Sequence, residues 1–350
     1  MNEVVDTLGS EGFGTYEVDW SVTPPGIKRV DKQPSALVIP GFVDIHIHGA
    51  YGIDFMSASQ SDMLDLCERL EEVGYEMFLP TTVTAAAADV ATALSNIPDH
   101  GLIGGFHLEG PFISTEYPGA QPKEHICEAP DGPGEWDAIL DDPRLKVVTI
   151  APETPRALQL IAKLNSNGVI ASMGHTNATH DEARAGFDHG AAHTTHTFNA
   201  MRPLHHREAG TVGYALLNDA LRCELIYDRL HVSPEAAGLL FKSKPPGGVL
   251  AVSDSTMATG MPPGQKLNMW GMECVTGPKE VRLLSNGALA GSAITLLDAF
   301  RNLHDDFGPE IAIRACCLNP RSALRLSDPP SVYLELDKEL GIVERRMMKP

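Results

Sequence analysis

Paired cysteines and long apolar runs are both missing from this sequence of 350 residues. The six cysteines show no Cys-x-x-Cys spacing, and in a chain of this length they indicate reduced, mostly buried thiols rather than a disulfide framework. No stretch approaches the roughly 18 apolar residues that a membrane span needs. The N-terminal MNEVVDTLGSEG has acidic residues where a secretory signal peptide needs a basic start. We therefore expect a cytoplasmic protein with no membrane partner.

Basic residues are also scarce in this chain. There are 27 Lys and Arg residues against 46 Asp and Glu, which gives a formal net charge of −19 at pH 7. Proteins that bind nucleic acid or anionic lipid use clusters of Lys and Arg to displace counterions. We expect no nucleic-acid partner, and an anionic small substrate would need a local basic pocket to overcome the overall negative field.

What the sequence does contain is a regular alternation of apolar runs and helix-like segments. This alternation is typical of a parallel sheet built from βα units. Eight runs rich in Val, Ile and Leu predict an α/β fold with a closed (β/α)₈ TIM-like barrel. They are LVIPGFVDI near 37, MFLPTTV near 77, GLIGGFHLE near 101, KVVTIAP near 146, GVIASMGH near 168, GAAHTTHTF near 190, LRCELIYD near 221 and GGVLAVSD near 247.

The predicted helices fit the same arrangement. SDMLDLCERLEEVG and TPRALQLIAKLNSNG have apolar residues at helical spacing and end at Gly74 and Gly168. A further helix, AITLLDAFRNLHDDFG, follows the eighth run after a Gly/Pro-rich stretch over 260–291. We assign the barrel to residues 38–325. Residues 1–37 and 326–350 do not fit the rhythm and are assigned to a small peripheral unit.

Polar side chains recur where the predicted strands end. In a barrel of this type the active site lies at the C-terminal ends of the strands. Because side chains alternate along a strand, two of these histidines two residues apart point the same way and can share one ion. The residues are His46 and His48 after the first run, Glu109 after the third, His175 after the fifth, His196 after the sixth and Asp254 after the eighth.

Four imidazoles and two carboxylates exceed the ligands that one tetrahedral ion needs. Two ions are therefore possible, with Glu109 as a bridge over the usual separation of roughly 3.5–4 Å. A lone histidine at a strand end is more often a hydrogen-bonded structural residue, but here each position ends a separate strand of one series. His107 and His193 lie beside proposed ligands and are expected to orient neighbours rather than to bind metal.

Several segments resemble the amidohydrolases and, within them, the N-acetylglucosamine-6-phosphate deacetylases. The resemblance extends over about residues 38 to 325, and FNAM together with HHREAG is specific to this branch. The segments are PGFVDIHIHG, GFHLEGPFIS, MGHTNAT, THTFNAMRPLHHREAG, LAVSDSTMATGMPPG and LAGSAITLLDAF.

The resemblance implies roles for individual residues. Glu109, His175 and His196 would bind one divalent ion, and His46 and His48 would complete a second site, so that the enzyme holds one or two ions of Zn, Fe, Mn or Co. Asp254 would be the general acid and base, and His231 would stabilise the developing oxyanion. The sugar-phosphate pocket would comprise Ala120, Asn199, Ala200, His206, Arg207, His231, Leu289, Ala290 and Gly291.

The implied activity is metal-dependent removal of acetate from N-acetylglucosamine 6-phosphate, in a homodimer in which His206 or Arg207 reaches the neighbouring site. The alternatives are the galactosamine analogue as substrate, another amidohydrolase reaction such as opening of a cyclic amide, and a non-catalytic sugar-phosphate sensor. The chain departs from the family pattern at three places. Arg229 stands at a usual glycine position. Around the turn where the family tends to have a basic residue and a histidine, this chain reads YPGAQPKEH. The C-terminal segment differs from the one that in the family joins the N-terminal strands in a small β-sandwich, so the resemblance implies a small, reduced, sandwich-like β domain from residues 1–37 and 326–350. Arg229 indicates either a rebuilt loop or a second phosphate-binding cation.

Overall fold

The structure is a computed structural model that describes residues 2–348. The outermost residues of the predicted peripheral unit, Met1, Lys349 and Pro350, lie outside this part of the chain. Among the described residues, no helix is long and apolar enough to cross a bilayer.

Strands and helices alternate through the middle of the chain, and strands dominate both ends. The strands are β1 (Asn2–Gly9), β2 (Gly12–Asp19), β3 (Gly26–Arg29), β4 (Leu37–Pro40), β5 (Phe42–Ile47), β6 (Gly49–Ala50), β7 (Ile53–Asp54), β8 (Tyr75–Pro80), β9 (Phe106–Glu109), β10 (Leu145–Ile150), β11 (Ile170–Met173), β12 (His193–Thr194), β13 (Arg222–Ile226), β14 (Val249–Val252), β15 (Lys266–Met269), β16 (Met272–Thr276), β17 (Glu280–Leu283), β18 (Leu289–Ser292), β19 (Val332–Leu336) and β20 (Ile342–Met347). The α-helices are α1 (Gln60–Glu72), α2 (Ala87–Ser95), α3 (Asp137–Leu140), α4 (Ala157–Ser166), α5 (His180–Asp188), α6 (Gly210–Leu217), α7 (Pro234–Ser243), α8 (Leu296–Phe307), α9 (Pro309–Ile313) and α10 (Asn319–Ala323).

Eight parallel strands provide the frame of the site. β9 to β14 form one parallel sheet in chain order, and β5 and β8 form a parallel pair. Isolated bridges join β8 to the β9 segment at Phe78–Ile103 and Thr81–His107, and Ile47–Ser255 joins the end of β5 to the residues after β14. Each of the eight predicted runs overlaps one of these strands. The parallel α/β architecture is therefore confirmed, whereas full closure of the barrel stays a prediction.

The local sequence explains how these elements begin and end. β5, β9, β11 and β14 are buried at every residue, as parallel strands with both faces covered are. Helix α1 begins with a capping box between Ser59 and Asp62. It ends at Glu72, and Gly74 follows two residues later with a φ of +88°. Gly74 lies so close to Leu334 of β19 that a Cβ atom there would be 2.6 Å from the leucine Cδ1.

The two ends of the chain meet in one six-stranded sheet with the order β20-β19-β4-β1-β2-β3. The prediction of a single first strand is wrong, because the run LVIPGFVDI is divided at Gly41. β4 pairs antiparallel with β19 in the terminal sheet, and β5 enters the parallel system. A Cβ atom on Gly41 would lie 2.7 Å from Cβ of Glu76, so only glycine fits between the sheets at this crossing. The predicted domain boundary at 38 falls inside β4 and stays a prediction.

The Gly/Pro-rich stretch over 260–291, for which no strands were predicted, folds into an antiparallel sheet of β15 to β18. This sheet is hydrogen-bonded to the segment that follows β14. The Ser292 N–H donates to the carbonyl oxygen of Asp254 at 2.7 Å, and the Thr256 N–H donates to the Ser292 carbonyl at 3.2 Å. The inserted sheet is thus attached directly to the loop that carries Asp254.

Candidate metal centre and cavity

The six predicted strand-end residues converge on one buried place. They form two groups, one of His46, His48 and Asp254 and the other of Glu109, His175 and His196. Within each group the ligand atoms lie within 4.8 Å of one another. All six side chains are buried. The structure therefore brings together every residue that the sequence proposed as a metal ligand, together with the proposed acid and base.

Three of these residues have an unusual backbone conformation. His175, His196 and Asp254 have φ values of 46°, 30° and 47°, although non-glycine residues rarely adopt positive φ. Each lies just after the end of its strand, where the chain turns. Backbone strain of this kind costs of order 1–3 kcal/mol per residue and is concentrated at functional sites.

Glu109 lies between the two groups. Its Oε1 atom is 3.2 Å from His175 Nε2, 3.1 Å from His196 Nε2 and 3.3 Å from His46 Nε2. Its Oε2 atom is 3.3 Å from His48 Nε2. One carboxylate thus faces ligands of both groups, which is the position that a bridging ligand requires.

The outer ring nitrogens of two histidines determine their tautomers. The Nδ1 atoms of His48 and His175 face the carbonyl oxygens of Thr81 and Tyr117, each at 3.1 Å. A carbonyl oxygen only accepts, so both Nδ1 atoms carry hydrogen, and in the neutral ring each Nε2 atom presents a lone pair inward. The His175 and His196 Nε2 atoms are only 3.1 Å apart. Inward lone pairs next to carboxylate oxygens fit a divalent cation.

The charges around the centre favour the same conclusion. Burial lowers the pKa of His48, but hydrogen bonds to Asp254 and Glu109 outweigh it and raise this pKa to about 9. Burial raises the pKa of Asp254, but His46 and His48 outweigh it and lower this pKa to about 2. The negative electrostatic potential that stabilises a proton on these imidazoles would also stabilise a metal cation in place of the proton.

His231 lies in the loop after β13 and is held by a buried carboxylate. Its Nδ1–H donates to Asp228 Oδ2 at 2.6 Å, and the N–H groups of Leu230 and His231 donate to Asp228 Oδ1. Burial raises the pKa of Asp228, but the hydrogen bond from His231 and its charge lower it below the ordinary value. The carboxylate therefore fixes the orientation of the ring and stabilises positive charge on it.

An open cavity lies above the candidate ligands. Its lining contains most of the predicted site residues and three that the sequence did not reveal, Gly119, Gln121 and Trp270. The predicted residues that line it are His48, Glu109, Ala120, His175, His196, Asn199, Ala200, His231, Asp254, Leu289 and Gly291.

Four predicted site residues lie outside this lining. His46 is fully buried among the other ligands, and Ala290 is buried within the inserted sheet. His206 and Arg207 are exposed on the loop after β12, and Arg207 Nη1 donates to His206 Nε2 at 2.9 Å. Within the described chain, the cavity lining includes no Lys or Arg. The structure of one chain does not bring these two exposed residues to the cavity, and their role in phosphate binding stays a prediction.

Arg229 also points away from the cavity. It keeps the left-handed backbone expected of a glycine position, with a φ of 67°. Its guanidinium group donates to both carboxylate oxygens of Asp306, at 2.7 and 2.9 Å, and Tyr227 donates to the same carboxylate. Arg229 thus ties the loop after β13 to α8, which gives the residue a structural partner, and the suggestion that it binds phosphate stays a prediction.

Two supporting residues were missed by sequence reasoning. Gln121 Nε2 donates to Glu109 Oε2 at 2.6 Å, while its Oε1 accepts from the Thr84 N–H at 2.7 Å. Glu224 Oε2 lies 3.3 Å from His46 Nδ1, at the ring nitrogen turned away from the centre. An acidic residue inside the apolar run LRCELIYD was the available signal for Glu224, because a buried carboxylate needs a partner.

The two histidines expected to orient neighbours lie outside both ligand groups. His107 hydrogen-bonds to the Ile45 carbonyl and to Thr149, and its ring packs edge-on against His46 with centroids 4.7 Å apart. His193 Nδ1 is 3.9 Å from Glu224 Oε1, which is beyond hydrogen-bonding distance. The orienting role therefore has contact support for His107 and stays a prediction for His193.

Five of the six cysteines, which the sequence suggested were mostly buried, are buried, and Cys127 is exposed.

Comparison with known proteins agrees with this geometry. The Amidohydrolase family matches residues 37–329. An N-acetylglucosamine-6-phosphate deacetylase of Bacillus subtilis (strain 168) is 38% identical over 296 residues, which cover 80% of this chain and 73% of that protein. An N-acetylgalactosamine-6-phosphate deacetylase of Escherichia coli O157:H7 is 34% identical over 304 residues, which cover 84% of this chain and 80% of that protein.

Solved structures extend the likeness to the whole fold. The structure of an N-acetyl-D-glucosamine-6-phosphate deacetylase variant from Mycobacterium smegmatis, in complex with N-acetyl-D-glucosamine-6-phosphate, superposes with a TM-score of 0.88 at 29% identity. The match covers 99% of this chain and 98% of that one. The chain therefore belongs to the amidohydrolase family, together with these sugar-phosphate deacetylases.

Proposed function

We propose that this protein hydrolyses the N-acetyl group of N-acetylglucosamine 6-phosphate to give glucosamine 6-phosphate and acetate, and that it depends on one or two divalent ions. The main observation behind the proposal is that two clusters of histidine and carboxylate residues lie at the base of the cavity and that Glu109 contacts both. The named relatives that act on this substrate support the choice of sugar.

The reaction needs a stronger nucleophile than water and a more electrophilic amide. A bound divalent ion supplies both, because it lowers the pKa of water to about 7 and polarises the carbonyl group. Its ligands in this chain would be Glu109, His175 and His196, with His46 and His48 for a second ion. The identity of the metal is open among Zn, Fe, Mn and Co, since all bind histidine and carboxylate ligands.

The side chains around the cavity would move the proton and stabilise the charge. Asp254, whose pKa is about 2, is ionised at neutral pH and accepts a proton from the attacking water. As the C–N bond breaks, Asp254 delivers this proton to the leaving nitrogen, and the oxygen of the water becomes part of acetate. His231, held by Asp228, donates to the developing oxyanion, which typically contributes about 3 kcal/mol.

A phosphate is typically bound by Arg or Lys, and among the described residues of a single chain neither type lines this cavity. Arg207 and His206 are exposed on the loop after β12, outside the lining. We infer a homodimer in which these two residues of one protomer bind the phosphate in the cavity of its partner. An arginine suits this purpose because its planar fork binds phosphate oxygens bidentately.

We further propose a closed barrel and two structural units for this chain. Bridges at Ile47–Ser255 and Phe78–Ile103 support closure of the eight parallel strands into a (β/α)₈ barrel. We propose residues 38–325 as this barrel and residues 1–37 with 326–350 as the peripheral unit. A cytoplasmic location remains the expectation from the sequence.

Acetate release by the purified, metal-analysed protein tests the proposal. The substrates are N-acetylglucosamine 6-phosphate, its galactosamine analogue and both sugars without phosphate. Metal-loaded protein that is inert on both sugar phosphates would refute the assignment. The Asp254→Asn variant should bind substrate without turnover, and a variant with unchanged turnover would remove Asp254 from the mechanism.

The second candidate is deacetylation of N-acetylgalactosamine 6-phosphate. It is favoured by the similarity to the E. coli enzyme of that name, at 34% identity. The two sugars differ only at one hydroxyl group, so the ratio of their kcat/KM values decides between the candidates. A sugar-phosphate sensor would bind both compounds without release of acetate, and another amidohydrolase reaction would leave both unused.

A further inference from the structure

Trp270 occupies an unusual place for a large aromatic residue. It lies with Gly271 in the two-residue loop between β15 and β16, where Met269 pairs with Met272. Both loop residues have positive φ, 54° for Trp270 and 81° for Gly271. Such loops favour Asn, Asp or Gly at the first position, and a bulky residue there is strained. An outlier of this kind is a reason to look for a function.

The indole ring is fixed against the metal centre. Trp270 Nε1 donates to Oδ2 of the buried Asp54 at 2.8 Å. Its ring packs edge-on against His48, with centroids 5.3 Å apart, and part of it lines the cavity. Behind the ring, the small apolar core of the inserted sheet supports it. Trp270 is thus a rigid apolar wall next to His48.

A second part of the cavity lining lies beside His175 and His196. A Cβ atom on Gly119 would lie 3.2 Å from His175 Cε1 and 3.5 Å from Ala200 Cβ, so these residues cluster near β11 and β12. Asn199 Nδ2 donates to the carbonyl oxygen of His196 at 3.3 Å, so the polar group suited to a sugar lies with His175 and His196, which face Glu109 Oε1. Trp270 lies instead with His48, which faces Glu109 Oε2.

A planar trans amide directs its two substituents apart. When the carbonyl group lies at the centre and the sugar extends toward Asn199, the acyl carbon chain must point toward Trp270. We propose that Trp270 closes the acyl end of the cavity and is the residue that limits the acyl group to the size of acetyl. This inference rests on the proposed deacetylase function and extends it to acyl specificity.

The test uses full-length, metal-loaded protein and glucosamine 6-phosphate carrying N-acetyl, N-propionyl or N-butyryl groups. A change of one methylene in an apolar pocket typically alters kcat/KM by about 10- to 200-fold. The wild type should prefer acetyl strongly. Trp270→Ala should raise the ratio of butyryl to acetyl kcat/KM about tenfold or more. Trp20→Ala, which removes an indole from the terminal sheet, should leave this ratio unchanged.

The variant Trp270→Leu shortens the wall while it retains an apolar side chain, and it carries the test if Trp270→Ala fails to fold by circular dichroism. It should raise the propionyl to acetyl ratio. Unchanged ratios in folded variants that still release acetate would overturn the inference about Trp270 alone. A wild type that hydrolyses none of the three compounds would instead refute the proposed function.

Discussion

Replacement of Gln121 should weaken metal binding, although this residue is not itself a proposed ligand. The amide orientation is fixed, because the Thr84 N–H donates to Oε1 and leaves the NH₂ group to donate to Glu109 Oε2 at 2.6 Å. This bond directs Glu109 Oε1 toward His175 and His196. Gln121→Ala removes the bond and frees the carboxylate to rotate.

The expected size of the effect follows from the charge of the acceptor. A hydrogen bond to a charged group contributes about 1.5–3 kcal/mol. At about 1.4 kcal/mol per factor of ten, the loss of this bond corresponds to roughly 10- to 100-fold weaker binding of the ion. This is the usual effect of removing a residue that hydrogen-bonds to a metal ligand. Gln121→Glu retains the shape but places a second carboxylate against Glu109, so it should weaken binding more at neutral pH than at mildly acidic pH.

The assay is competition for Zn²⁺ between the protein and a chromogenic chelator, together with elemental analysis after dialysis. Gln159→Ala, on the exposed face of α4, is the matched control and should retain wild-type affinity. Equal affinities, within twofold, for Gln121→Ala and the wild type would refute the reasoning.

Three other perturbations are expected to separate roles around the cavity. The pKa of Asp228 is lowered in the folded protein, so its carboxylate stabilises the fold above about pH 4, and this stabilisation is lost as the pH falls further. Asp228→Asn should therefore lower the free energy of unfolding by about 1–3 kcal/mol at pH 7 and by less at pH 3. Equal losses at the two pH values would contradict this. Arg229→Gly should leave KM for the phosphorylated substrate within twofold, since its guanidinium binds Asp306; a tenfold rise would contradict the assignment. Arg207→Ala should raise KM about tenfold or more for the phosphorylated sugar only, and an equal rise for both sugars would argue against phosphate binding.

The sequence predicted which six polar side chains would meet because they lie at the ends of five parallel strands. Side-chain alternation placed His46 and His48 on one face, and the apolar runs placed Glu109 at the same end of the sheet. Both patterns depend only on residues that are close together in the chain, so they can be recognised before the fold is known. The division at Gly41 had no such signal, because the break depends on the distant Glu76.

The remaining site residues depend on contacts between distant segments. Trp270 reaches His48 and Asp54 only because the inserted sheet pairs with the loop after β14. Strands in a Gly/Pro-rich stretch carry weak propensity, so their pairing was not evident from the sequence. The orientation of Gln121 likewise depends on a hydrogen bond from the Thr84 N–H, which lies on a different loop.

Acetate release measured on one preparation before and after removal of metal tests the central claim most directly. The protein is assayed with N-acetylglucosamine 6-phosphate as purified, after chelation and dialysis, and after addition of a divalent ion, with the bound metal counted at each stage. We predict activity that disappears with the metal and returns with it. A folded, metal-loaded protein that releases no acetate, or a metal-free protein that keeps full activity, would contradict the account.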